Sequence, residues 1–170
     1  MLKVLVFMPV LGAAAVAVLP VRRAVWLWRL AMLFALAALG HALWLAAGFD
    51  PAGPAIQFHE SRPWNVRLGS YFALGIDGIA LAMVLLTALL TLIAVLVSRR
   101  MEAGARLYFT LVLLLESAMF GVFTARDWSL FYVFWEATLI PLFFLIDRLG
   151  GPNRQRAALN FFLYTLGGSV

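Results

Sequence analysis

Six times along this 170-residue chain an apolar run begins, and five times it is broken by a segment carrying arginine, proline or glycine. No other feature constrains the fold as much. A helix needs about 20 apolar residues to cross a hydrocarbon layer of ~30 Å, and runs of that order recur here. The chain is 65% hydrophobic and 12% charged, against about 45–50% and about 25% in soluble domains. These observations predict an all-α integral membrane protein.

The first span is expected over 3–19, stopped by Pro20, Arg22 and Arg23. Small residues at 13–17 resemble a signal-peptide cleavage region, but the proline and paired arginines fit a retained span better. The second span is expected over 25–48, with Arg29 near enough to its end to snorkel. Residues 49–72 form an external polar connection whose three prolines argue against a helix throughout. Spans over 75–97, 107–125 and 128–146 follow, separated by SRRMEAGAR and a tight turn at Arg126 and Asp127. DRLGGPNRQR then breaks the helix, and a sixth span starts near 157. It holds too few residues for a crossing before Gly167, Gly168, Ser169 and Val170. The expectation is five full spans and a truncated sixth, in the N-terminal part of a longer protein.

The net charge of +5 does not mark a nucleic-acid binder. Twelve arginines and one lysine are scattered through short connections rather than gathered into an aromatic-laced patch. Lys3, Arg62, Arg67 and Arg126 fall on one side. Arg22, Arg23, Arg29, Arg99, Arg100, Arg106, Arg148, Arg154 and Arg156 fall on the other. The positive-inside rule places the second group in the cytoplasm, so the N-terminus and the 49–72 connection face outward. The absence of cysteine excludes disulfides, thiol nucleophiles and cysteine-ligated metals. His41 and His59 lie in different segments, which disfavours a histidine metal site.

Most acids sit in connections. Asp77, in GIDGIAL, reads as an N-terminal helix cap. Glu116 and Glu136 differ. Each is about ten residues from the 126–127 turn, along one helix or the next, so each lies about 15 Å deep, near the bilayer midplane. Acids at that depth are costly and mark ion or proton pathways by default. Ser129, Tyr132 and Glu136 share one helical stripe, as do Ser117, Gly121 and Ala125 on the preceding helix, and Thr87, Thr91 and Ser98 on the third. Pro141, five residues past Glu136, removes a backbone hydrogen bond and can kink the helix. No lysine occupies a span interior and no arginine lies near the midplane. A carboxyl whose proton affinity depends on a movable cation is a workable proton switch. This stretch of sequence supplies the acid without the cation.

FYVFWEATLIPLFFLIDRLGG followed by AALNFFLYTLGGS resembles the fifth and sixth helices of the M subunit of respiratory complex I. LGIDGIALAMVLLTALL resembles that family's third helix, and LLLESAMFGVFTARDWSLFYVFWE its fourth and fifth. The likeness is dense from about residue 74 onward and confined to span positions before it. The tryptophan–glutamate pair is common to related antiporter-like subunits, whereas LIP after it favours the M type. Ala80 departs from the hydroxyl residue of many members.

The resemblance implies an antiporter-like subunit of about fourteen helices built of two inverted five-helix repeats. Residues 1–106 would hold helices 1–3, and 107–170 the start of the proton-translocating repeat. It implies proton translocation coupled to NADH oxidation and quinone reduction on other subunits, which would carry NADH, FMN, Fe–S clusters and quinone, with no cofactor on this chain. Glu136 would match the glutamate that pairs with a lysine of the seventh helix, Glu116 a fourth-helix acid less uniformly required, and Ser129, Tyr132 and Pro141 would line or bend the path. L- and N-type subunits and the lipid bilayer would be the partners, in a bacterial inner membrane. The alternative is a subunit of a multisubunit Na⁺/H⁺ antiporter or of a membrane-bound hydrogenase complex.

Overall fold

In a computed structural model, the structure describes residues 1–20, 23–65, 67 and 69–169. Arg22, counted above among the cytoplasmic charges, and Val170 lie outside the described residues. The elements run α1 (Leu2–Val18), α2 (Ala24–Ala47), β1 (Gln57–Asn65), β2 (Ser70–Ile76), α3 (Gly78–Val97), α4 (Ala105–Thr124), α5 (Trp128–Leu149) and α6 (Arg154–Ser169), with a 3₁₀ turn, Ser98–Arg100, closing α3. Four of these helices, α2 to α5, are long and apolar enough to cross a membrane, and α1 is a shorter apolar helix.

The helices pack through small residues. Ala31, Ala35, Ala38, Ala42 and Leu45 form one buried seam along α2, and Ala80, Val84, Thr87, Ala88, Thr91 and Val95 form another along α3. Lipid offers no hydrophobic drive for helix association, so close backbone approach through such seams is what holds spans together. Gly12 of α1 shows how close: a Cβ there would stand 2.5 Å from the Phe34 ring. The other sides of α2 and α3 are exposed and apolar, with Leu33, Leu36, Leu89 and Ile93 turned outward.

The 49–72 connection is irregular only as far as residue 56. It contributes an antiparallel hairpin, with Ser61 opposite Ala73, Arg62 opposite Phe72 and Pro63 opposite Tyr71. An all-α reading of the chain therefore needs this correction. Pro63 is tolerated because a two-stranded ribbon has free edges and the register slips beside it. Strand β2 takes in Gly75 and Ile76, which the hydropathy pattern had assigned to the third span, so α3 begins at Gly78. There Asp77 caps the helix, its carboxylate accepting from the Ala80 amide at 2.8 Å. At the far end, α5 continues past the expected 146 to Leu149, taking in the Asp147–Arg148 ion pair at 3.1 Å. Helix α6 starts at Arg154 rather than near 157 and runs through Gly167 and Gly168.

Two ends of the bundle are thereby defined. At one, the Met1 amine and Lys3 pair with Glu60 of the hairpin, and Arg126 pairs with Asp77 at 2.8 Å. The three segments counted as outward thus meet on one face. At the other, Arg106 of α4 donates to the Val16, Ala17 and Leu19 carbonyls at 2.8–2.9 Å, closing the C-terminus of α1.

Candidate functional site in helix α5

Asp127 sets where α5 starts. One carboxylate oxygen accepts from the Ser129 and Leu130 amides at 3.0 and 3.1 Å, satisfying donors that the first turn leaves open. The other accepts from the Tyr71 amide of β2 at 3.1 Å. Led by the Tyr71 amide, these donors hold the Asp127 carboxyl below its ordinary value. The preceding Arg126 is clamped to the same strand. Its amide donates to the Ala73 carbonyl at 2.8 Å, and its guanidinium reaches Gly75 and Asp77. Ser129 Oγ lies 3.0 Å from Ser70 Oγ of the hairpin. The entry of α5 is therefore fixed by the hairpin on several independent bonds.

Glu136 follows two turns in, about 12 Å along the axis from Trp128. It is half-buried, and its Oε1 accepts a hydrogen bond from Ser169 Oγ of α6 at 2.9 Å. Tyr132, a turn above on the same stripe, is 41% exposed. It lines a cleft of about 670 Å³ with Trp64, Asn65, Ser70, Trp128 and Ser129. It also lines a second cleft of about 450 Å³ with Trp135, Tyr164, Thr165 and Ser169. Ser129, Tyr132 and Glu136 are thus brought together on one side of α5. Pro141 is buried inside a helix that stays continuous from Trp128 to Leu149. Having no N–H, it cannot bond the Ala137 carbonyl, the residue next to Glu136.

Glu116 has a different setting. It is 1% exposed, and neither carboxylate oxygen has a hydrogen-bond partner among the described residues. Helices α4 and α5 are neighbours, yet Glu116 does not face α5. Gly121 does: a Cβ there would meet the Phe134 ring of α5 at 2.2 Å. Five residues separate the two positions, so Glu116 points about 140° away around α4. It shares the stripe of the buried Phe109 and Phe120, directed into the bundle of α1 to α4. The small-residue row divides likewise, because Ser117 Oγ donates to the Val6 carbonyl of α1 at 2.6 Å. A buried polar group without a hydrogen-bond partner among the described residues is costly.

Sequence reasoning missed the hairpin clamp on α5 and the Ser169 bond to Glu136. The adjacent aromatics of SYFALGI, bounded by Gly69 and Asp77, were the available signal for the first. Nothing in the sequence pattern signals the second, which depends on how α6 folds back.

Four helices long and apolar enough to cross a membrane, one of them carrying a half-buried acid and a proline, define a polytopic membrane protein. Comparison with known proteins makes the likeness specific. Residues 125–170 match the family described as NADH:quinone oxidoreductase/Mrp antiporter, TM. The chain is 40% identical to NADH-quinone oxidoreductase subunit M of Rhodobacter capsulatus, over all of this chain and 34% of that one. It is 42% identical to F(420)H(2) dehydrogenase subunit M of Methanosarcina mazei, over 76% of this chain and 26% of that one. A chain in the structure of respiratory complex I from Thermus thermophilus with bound NADH superposes with a TM-score of 0.85 at 33% identity, covering all of this chain and 34% of that one. The resemblance to the M-type subunit family holds in sequence and in fold, and this chain spans about a third of the length of such relatives.

Proposed function

We propose that this chain forms part of an M-type membrane-arm subunit of an NADH–quinone oxidoreductase, and that it takes part in proton translocation. Electron transfer then occurs on other subunits, which hold NADH, FMN, Fe–S clusters and quinone. The observation that carries the reading is Glu136, a carboxyl two turns into α5 whose polar partner comes from α6. Ser129 and Tyr132 form the wall of its approach, and Pro141 leaves a carbonyl beside it. Glu116 serves as a separate coupling acid within the α1–α4 bundle.

In this reading α1 to α5 are five spans and α6 begins a sixth, within about fourteen helices. Residues 1–106 form the peripheral helices, and 107–170 open the translocating repeat. The hairpin face lies outside a bacterial inner membrane, together with the N-terminus, because the opposite face carries more arginine. L- and N-type subunits are the neighbours. Changing Glu136 to Gln in the full-length protein should abolish most proton pumping in inverted vesicles while the complex remains assembled. Pumping at the unaltered level would remove Glu136 from the mechanism.

A second reading, an antiporter or hydrogenase-type subunit, is favoured by the breadth of the matching family description and by the F(420)H(2) dehydrogenase relative. It predicts that ion movement survives without NADH oxidation, and that Na⁺ gradients respond to the same substitution.

A further inference from the structure

The end of the bundle opposite the hairpin carries a feature that proton movement does not use. Arg23 precedes α2, Arg29 lies in its second turn, and Arg99 and Arg100 close α3; all four are exposed. The Trp28 indole N–H donates to the Val95 carbonyl at 2.9 Å, tying the start of α2 to the end of α3. The Arg29 guanidinium stands 4.7 Å over the Trp26 ring, and that of Arg99 stands 5.4 Å over Trp28. Among the described residues no ion pair engages any of the four. Glu102 is the one acid in the adjoining connection.

Sidedness alone explains why arginines occupy this end. It does not explain why two of them lie on indole planes, which restrict a guanidinium and leave its N–H edge free to bind an oxyanion. Directly below, the outward sides of the same two helices are apolar, with Trp26, Leu33 and Leu36 on α2 and Ile93, Leu96 and Val97 on α3. A fixed cationic corner at the head of an apolar wall matches a molecule with an anionic head and long hydrocarbon tails.

We propose that Arg29 and Arg99, set on Trp26 and Trp28 and assisted by Arg23 and Arg100, form a binding site for the phosphate of an anionic phospholipid. The acyl chains of that lipid lie along α2 and α3. A soluble phosphate would match the guanidiniums but leave the apolar wall uncovered. The site is independent of Glu136 and of any assigned transport activity.

The test uses the full-length protein in its complex, reconstituted in phosphatidylcholine containing spin-labelled phosphatidylglycerol or spin-labelled phosphatidylcholine. The readout is the motionally restricted fraction of each. The wild type should select the anionic probe. Each guanidinium removed near the membrane surface should lower that selectivity about fivefold, so R29Q acts alone and R29Q/R99Q acts more strongly. Removal of two arginines from the opposite face, R62Q/R67Q, should leave it unchanged. Inorganic phosphate should not displace the lipid probe. Selectivity that survives R29Q and R29Q/R99Q, falls equally in R62Q/R67Q, or yields to inorganic phosphate would overturn the proposal.

Discussion

Replacing Gly121 with alanine tests how α5 is held against α4. A Cβ at this position would stand 2.2 Å from both Cγ and Cδ1 of Phe134 and 2.6 Å from Cδ2. Carbon atoms pack at about 3.5–4.0 Å, so the ring or the helix must retreat by about 1.3 Å. Overpacking of this kind costs about 1–3 kcal/mol. Alanine also gains helix propensity of about 0.5–1 kcal/mol over glycine, which partly masks the clash. Gly40, in the interior of α2, supplies the control, because a Cβ there meets nothing within 4 Å. The propensity gain is common to both substitutions, so the difference between G121A and G40A isolates the clash. In a graded SDS unfolding titration of the purified protein, G121A should be less stable than G40A by about 1–3 kcal/mol, roughly 5- to 150-fold in the unfolding constant. Trimming the ring in G121A/F134L should recover much of the loss. Equal stability of G121A and G40A would refute the close α4–α5 packing. It would also undo the argument that turns Glu116 away from α5.

Two further outcomes follow from the ends of the bundle. The Ala80 amide first, and the Arg126 guanidinium next, hold the Asp77 carboxyl below its ordinary value of 3.8. A depressed carboxyl contributes its full share of stability above that ordinary value and loses it as pH falls through the lower folded value. The stability gap between wild type and D77N should therefore be constant at neutral pH and close in acid below about pH 4, measured by thermal unfolding; a gap that widens in acid contradicts the assigned partners. No cysteine lies among these 170 residues, so an introduced thiol, read against the unsubstituted protein as the blank, reports sidedness. Trp64→Cys should react with an impermeant maleimide on intact cells, and Glu102→Cys only in inverted vesicles; the converse pattern would reverse the proposed orientation, and labelling of both from one side would abolish it.

The positions of α2 to α5 were legible in the sequence because burial in lipid is a property of each stretch by itself. A run of apolar residues needs no partner to be read, and the arginines that end it need none either. The position of Glu136 along α5 follows from counting along its own helix, and the cap at Asp77 from its own first turn. The hairpin, the face taken by Glu116 and the clamp on α5 were decided only in three dimensions. Strands β1 and β2 are joined by bonds between distant residues, such as Ser61 with Ala73, and the apolar end of β2 runs straight into α3, so hydropathy alone does not separate them. Which way a buried acid points depends on which helix lies where. Gly121 could have faced α1, and Glu116 could have faced Glu136, with no change in hydropathy. The sequence by itself determined that two acids would fall inside apolar helices, because local hydrophobicity is a property of each stretch. Packing alone decided that Glu136 would meet α6 while Glu116 stayed within the first four helices, because contact between helices is fixed by shape rather than by composition.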